Sequence, residues 1–352
     1  MGETMKIQNQ GQLRVAIAGC HRMLTRTPGS HNFAAAFHAV PGTQVVAIFD
    51  RGTETRAQFV DCWRDVWGNI PTYDDYPRML EEIKPDLVCI ATRQTLHAEQ
   101  IELAVKVGVR GILCDKPLAT SMIKTDRIIS ACRNIPLLFA LDRRWMTRYQ
   151  HLRKMIAEGA IGTIRSIVAY GLPNLINHGC HWYDTILALA GDIEPVWASG
   201  LVDNVSGDPE GSYRRMDPTG RGQVGLANGV VFYVTSAGSM SFEITGEKGC
   251  LFLLKDARES FIWLESSNSE SNMRPIELPE ETEQWSAGKT MVMDLVEAVQ
   301  TGGRTSCDIE HARRATEIGF AIHVSSSHGG MKIALPLVER SLRIESFPWG
   351  NE

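Results

Sequence analysis

The chain has 352 residues, more than one compact core accommodates, and fits two domains of ordinary size. Its 43% hydrophobic and 22% charged composition gives apolar material for a core in each half. A formal charge of −5, with no long lysine or arginine block, argues against nucleic acid or an anionic membrane as partner and leaves small-molecule chemistry. The cysteines at positions 20, 62, 89, 114, 132, 180, 250 and 307 form no C-x-x-C pair, and several lie in apolar runs, so they read as reduced buried thiols. The opening Met-Gly-Glu-Thr-Met-Lys fits neither a signal peptide nor a myristoylation site. No apolar run nears the roughly 20 residues of a membrane span, so a cytoplasmic protein is expected.

Leu13-Arg14-Val15-Ala16-Ile17-Ala18-Gly19 is a short apolar run ending in glycine, and the alanine-rich stretch 33–40 suits a helix. Val45-Val46-Ala47-Ile48-Phe49-Asp50 is a second strand ending in an acid. Strand, turn, helix, strand and terminal acid is the order of a dinucleotide-binding unit, in which the acid accepts hydrogen bonds from the adenosine ribose. Gly19 is followed by Cys20, His21 and Arg22, so the second glycine of the usual fingerprint is missing, and Gly29 replaces the third only in part. The interval from Gly19 to Asp50 also exceeds the usual spacing of about 20 residues. Residues 20–30 therefore read either as an enlarged phosphate loop, with Arg22 or Arg26 reaching the pyrophosphate, or as a surface loop with solvated arginines.

The alternation continues with a helix over 76–83, a strand over 87–91, a helix over 95–107, a strand over 112–114, a helix over 121–132 and a strand over 137–140. Repeated β-α-β with short connections predicts a doubly wound parallel sheet with helices on both faces, assigned to residues 1–142. Beyond it come a helix over 147–158, a strand over 164–170 and a helix over 175–190. Strands follow at 196–202, 224–226, 230–235, 241–244, 251–254 and 261–264. Strands without helices between them predict an α+β second domain over 143–352 with a large open, mainly antiparallel sheet. The polar stretches 203–222 and 266–284 read as loops or partly disordered segments, and helices over 290–300 and 310–326 close the chain.

Two segments carry candidate chemistry. Gly111-Ile112-Leu113-Cys114-Asp115-Lys116-Pro117 puts a cation at the carboxyl end of a buried strand, where open α/β sheets bind ligands. Asn177-His178-Gly179-Cys180-His181-Trp182-Tyr183-Asp184, laid on a helix, places Asn177, His181 and Asp184 on one face. Oxidation of a secondary alcohol needs a base and a cation beside the alkoxide, which His181 and Lys116 would supply. Alone, each also reads as a solvated lysine and a structural histidine. His178 and His181 flank Cys180, but no second cluster has metal-ligand spacing, so no metal is expected.

The chain resembles the glucose-fructose oxidoreductase and inositol dehydrogenase (Gfo/Idh/MocA) family over nearly its whole length. The similarity runs through Val46-Ala47-Ile48-Phe49-Asp50-Arg51, Ala91-Thr92 with His97, Cys114-Asp115-Lys116-Pro117, Arg143-Arg144-Trp145, Gly179 to Asp184, Ile244-Thr245-Gly246-Glu247-Lys248-Gly249 and Leu335-Pro336-Leu337. The resemblance implies a Rossmann domain, an open sheet used in homodimer or homotetramer contacts, and an NAD or NADP oxidoreductase acting on sugars or polyols. It makes Lys116 the lysine that bridges the nicotinamide ribose and the reacting hydroxyl, and His181 the general base. Asp115 stands where the family has glutamate, Arg93 where it has proline, and Asn177 where it has aspartate. Asn177 can still hydrogen-bond the imidazole but supplies no charge, so His181 is expected to be a weaker base.

Cofactor contacts are expected from Gly19, His21, Arg22, Asp50, Arg51, Ala91, Thr92, Arg93, His97, Asp115 and Lys116. His97 also reads simply as a helix N-terminal residue. Substrate contacts are expected from Lys116, Asn177, His178 and His181, and from Trp145 and Trp182 if these stack on sugar rings rather than sit in the core. Asp50 favours NAD, because a carboxylate repels a 2′-phosphate, and Arg51 keeps NADP open. Three activities follow: a sugar, glycoside or polyol dehydrogenase; an NAD-retaining glycoside-cleaving enzyme working by transient oxidation and elimination; and a non-catalytic nucleotide- or sugar-binding regulatory subunit.

Overall fold

The computed structural model describes residues 11–203, 213–265 and 272–346. Six apolar strands form the first sheet: β1 (Leu13–Ala18), β2 (Thr43–Phe49), β3 (Thr72–Tyr73), β4 (Leu87–Ile90), β5 (Gly111–Cys114) and β6 (Leu137–Phe139). All pair in parallel, in the order β3-β2-β1-β4-β5-β6. Every residue of β4 and β5 is buried, as strands covered by helices on both faces require. Those helices include α1 (Phe33–His38), α2 (Thr53–Trp67), α3 (Tyr76–Ile83), α4 (His97–Lys106) and α5 (Met122–Ala131). The strand order reverses between β1 and β4, which opens a crevice at the carboxyl ends of the strands.

Helix α2 is absent from the sequence reading. Only Phe59 and Trp63 of it are fully buried, and its stability rests on an aromatic stack in which the Trp63 and Trp67 rings lie 4.5 Å apart. The helix also anchors the long loop after β1. Trp63 Nε1 donates to the Met23 carbonyl (2.8 Å), and Arg26 is spent on the Cys62 carbonyl (2.7 Å) and Asp65 (3.1 Å). Asn32 caps α1 and donates to the Thr25 and Thr27 carbonyls, each at 2.9 Å. Residues 20–31 are thus a built loop, and Arg26 is turned away from the crevice.

The second half begins with α6 (Thr147–Ala157), β7 (Ile164–Tyr170) and α7 (Gly179–Leu189). It continues through β8 (Pro195–Val202), β9 (Tyr213–Met216), β10 (Gly220–Leu226), β11 (Val231–Val234), β12 (Ser241–Gly246), β13 (Gly249–Leu254), β14 (Glu259–Leu264) and β15 (Asn272–Pro275). Helices α8 (Ser286–Thr301) and α9 (Ile309–Ser327) and strands β16 (Ile333–Ala334) and β17 (Arg343–Ser346) complete it. Among the described residues, nine strands form one open sheet in the order β15-β14-β13-β12-β7-β11-β10-β8-β16, antiparallel except where β11 joins β7, while β9 pairs with β17.

Strands β9, β15 and the first half of β10 occupy stretches expected to be loops; positions 204–212 and 266–271 of those expected loops lie outside the described residues. The strand character of β10 is hidden because its glycines are packing devices. A Cβ on Gly222 would come within 2.9 Å of Ile322 Cδ1 on α9, so the helix lies against bare backbone. Helix α8 packs back on the first sheet: Met291, Val292 and Leu295 belong to its core, and a Cβ on Gly111 of β5 would meet Val299 at 2.5 Å.

Helix α7 starts at Gly179, later than the expected start at 175. The preceding turn is held instead by side chains. Asn174 Oδ1 accepts the His178 N–H (2.7 Å), and the buried Asp217 accepts the N–H groups of Ile176 (3.0 Å) and Asn177 (2.7 Å). Asn177 is therefore a turn residue, and it does not share a helix face with His181 and Asp184.

Candidate active site

A cleft of about 500 Å³ lies at the carboxyl ends of β1, β4 and β5. Its floor is the close approach of the chain just after the first two of these strands, which pair in parallel. Gly19 has φ +87°, and a Cβ there would sit 2.5 Å from the Ala91 carbonyl oxygen, so this approach requires glycine. His21, Arg22, Asp50, Arg51, Ala91, Thr92 and Arg93 line the wider end. Asp50 accepts the Cys20 N–H through one oxygen and the Gly52 N–H through the other, both at 2.9 Å. This carboxylate ties the loop after β1 to the end of β2, a task the missing glycines would otherwise ease.

His97 departs from its expected place. It is fully buried behind the cleft wall, its ring nitrogens facing the carbonyl oxygens of Leu118 (3.2 Å) and Thr92 (3.1 Å). Burial depresses its pKa, and the neutral ring braces the segments after β4 and β5. Trp145 and Trp182 are also core residues. Trp145 Nε1 donates to Asp294 (3.0 Å) and Trp182 Nε1 to the Tyr170 carbonyl (2.8 Å), so neither ring forms part of the cleft wall.

The narrow end gathers charged groups. Lys116 Nζ donates to Asn177 Oδ1 at 3.2 Å, across 61 residues of sequence. Asn177 therefore meets the lysine, whereas the sequence reading paired it with the imidazole. Beside Lys116, the Asp115 carboxylate receives His31 Nδ1 at 2.8 and 2.9 Å. Burial alone would raise the Asp115 pKa, but His31 and Lys116 hold it down at about 2. His31 escaped the sequence reading; it sits 84 positions from its partner and adopts φ +66°, and neither property has a local sequence signal.

His178 and His181 are part-buried behind this group; neither is among the residues that line the cleft. Burial, then Lys116, His31, Arg143 and Arg22, push His178 down to about 4. Burial, then Arg143, Lys116, His31 and His178, hold His181 well below the ordinary imidazole value. Both rings are therefore neutral near pH 7, the state in which an imidazole accepts a proton. Asp184 serves elsewhere: it accepts Arg144 Nε at 2.8 Å in a pair whose side chains are each only 1% exposed, and Asp192 takes the same guanidinium at 2.6 Å.

A parallel sheet in 3-2-1-4-5-6 order, with a glycine turn after β1 and an acid after β2, defines a dinucleotide-binding Rossmann domain, here joined to an α/β domain with an open sheet. Residues 13–141 match the family model described as "Oxidoreductase family, NAD-binding Rossmann fold", and residues 171–335 match its partner, "Oxidoreductase family, C-terminal alpha/beta domain". The chain belongs to the Gfo/Idh/MocA oxidoreductase family.

Among curated relatives, dTDP-3,4-didehydro-2,6-dideoxy-alpha-D-glucose 3-reductase of Actinomadura kijaniata is 31% identical over 46% of this chain and 46% of its own. D-apiose dehydrogenase of Paraburkholderia graminis is 30% identical over 38% of this chain and 35% of its own. The match thus spans half or less of these relatives. Levoglucosan dehydrogenase in complex with NADH shares the fold with a TM-score of 0.74 at 19% identity, over 93% of this chain and 100% of that one.

Proposed function

We propose that the protein is an NAD(P)-dependent dehydrogenase acting on a ring hydroxyl of a sugar, glycoside or polyol. The observation that carries this reading is the narrow end of the cleft, where Lys116 meets neutral Asn177 and two uncharged histidines lie beside it. The curated relatives named above act on sugars or sugar nucleotides, which supports the substrate class.

The residues present suit a dinucleotide. The missing side chain at Gly19 leaves room along the strand ends, Asp50 is fixed beside that turn, and Arg22 is exposed on the loop for an anionic group. Bound there, the nicotinamide supplies the hydride acceptor. His181 takes the proton from the substrate hydroxyl. Lys116 places its ammonium beside the oxygen on which negative charge develops, and Asn177 holds that ammonium in position without neutralising it. Asp115, itself fixed by His31, keeps the backbone N–H of Lys116 oriented (2.8 Å). Asp50 favours NAD over NADP for the charge reason given above, with Arg51 as the residue that would relax the preference.

Homo-oligomerisation through the nine-stranded sheet belongs to the same reading and is supported by the exposed Leu201, Tyr233, Leu254 and Met273 on its strands. No described helix is long and apolar enough to cross a membrane. The functional reading is tested by steady-state assays on a sugar and polyol panel with NAD and NADP. Reduction of nicotinamide by one sugar class, lost in Lys116→Ala, is the expected result. No reduction by any sugar at saturating cofactor would overturn it.

A further inference from the structure

Asn177 leaves the base of the site without the negative charge that an imidazolium needs, and its amide oxygen is engaged by Lys116. A different carboxylate stands next to His181. Asp142 Oδ1 lies 3.8 Å from His181 Nδ1, with side chains only 15% and 12% exposed. Both atoms are buried, and among the described residues neither has a hydrogen-bond partner. Two unsatisfied polar atoms facing each other are costly to leave apart, and catalytic contacts are often long before ligands bind.

The surroundings make this placement rigid. Asp142 opens the 3-10 turn Asp142–Arg144, and Arg144 two residues on is locked to Asp184 on α7, one helical turn beyond His181. A buried ion pair thus docks the turn against the helix that carries the base. The groups facing the imidazole are otherwise cationic or neutral: Arg143, Lys116, His31 and His178. Arg143 is committed to Asp256 at 2.8 Å and lies 3.6 Å from Asp142 itself.

We infer that Asp142 is the positioning residue for His181: it accepts the Nδ1–H, fixes the tautomer that leaves the Nε2 lone pair as the base, and balances the imidazolium after proton transfer. The step is a plain proton transfer, with the substrate hydroxyl proton moving to Nε2 and the Nδ1 proton staying on the ring. The inference rests on the dehydrogenase reading for the identity of the base, but not for the contact itself.

The test uses the full-length protein labelled with ¹⁵N-histidine, with the His181 resonances assigned from the spectrum of His181→Gln. At neutral pH wild-type His181 is expected to carry its proton on Nδ1. Asp142→Asn, whose amide can face the ring either way, should mix in the Nε2–H form, lower kcat by ~10²- to 10⁴-fold with KM little changed, and move the acid limb of the pH–rate profile to lower pH. Asp142→Glu should restore the tautomer and part of the rate. An Nε2–H ring in the wild type overturns the inference even if Asp142→Asn does not fold, and so does an unchanged tautomer in a folded Asp142→Asn. Nδ1–H in the wild type lost in Asp142→Asn, in a protein that oxidises no sugar, would uphold the Asp142 contact while removing the dehydrogenase reading.

Discussion

The two ends of the cleft are built by different means. At the wide end the backbone does the shaping: strand ends, the glycine at position 19 and the Asp50 carboxylate that accepts two main-chain N–H groups. Its arginines 22, 51 and 93 are exposed. At the narrow end side chains do the shaping, through part-buried pairs that join residues far apart in sequence: Lys116 with Asn177, Asp115 with His31, and His181 with Asp142. The first kind of site tolerates changes of surface side chain and fails when the backbone is filled. The second fails when one partner of a pair is lost, because the other is left charged or polar in a poorly solvated place.

The sharpest break of the comparison is Lys116→Ala. It removes the ammonium beside the developing alkoxide, so kcat should fall by ~10²- to 10³-fold. The thermal midpoint should move little, as calorimetry would show, and the loss in kcat should exceed any weakening of cofactor binding seen by fluorescence titration. At the other end, Gly19→Ala asks a side chain to adopt φ +87° against the Ala91 carbonyl. It should cost ~1–3 kcal/mol of stability and weaken cofactor binding more than it alters the chemistry of any bound substrate, separable by comparing Kd with single-turnover rates.

Asn177→Asp sharpens the contrast within the narrow end. A carboxylate at 3.2 Å from Lys116 would add negative charge to a cluster that now depresses both histidines. The acid limb of the pH–rate profile should then move upward by about one pH unit; an unmoved limb would mean that Asn177 acts through a direct substrate contact instead.

The last effect is on the pH dependence of stability. His178 titrates at about 4 when folded and near 6.5 when unfolded, and His181 is depressed in the same direction. Below the unfolded value the unfolded chain binds protons that the folded one refuses, so stability falls with pH through that window and levels off below the folded values. Asp115, held down at about 2, keeps its charge throughout the same window. The thermal midpoint of wild type should therefore drop between pH 6.5 and 4 more steeply than that of His178→Gln.

This division also explains what was legible in the sequence. β4 and β5 are wholly buried apolar runs, and repeated β-α-β units with short connections leave a parallel doubly wound sheet, so the fold class and the strand-end positions of Gly19 and Asp50 could be read directly. Lys116 could be read because it closes a buried strand. α2 was missed because its face is a small aromatic stack, and β10 because its glycines serve α9 rather than the strand. Asn177 was put on a helix because spacing alone cannot reveal that Asn174 and Asp217 hold a turn there. His31 and Asp142 have no local signal: each becomes a site residue only when the chain brings it to a partner 84 or 39 positions away. Asp142 adjoins Arg143-Arg144-Trp145, which the sequence singles out, but an acid beside two arginines reads locally as their ion-pair partner, not as a partner for a distant imidazole.

The account rests on hydride transfer at the narrow end of this cleft. The most direct test is to denature the purified, untreated protein, identify any released nucleotide by absorbance and mass, and then follow reduced-nicotinamide absorbance on a sugar and polyol panel for wild type and Lys116→Ala side by side. The account predicts that one class of sugar or polyol reduces the cofactor with wild type and that the variant loses this activity while still binding the nucleotide. Equal rates in the two proteins, or a bound nucleotide that no sugar reduces, would contradict it.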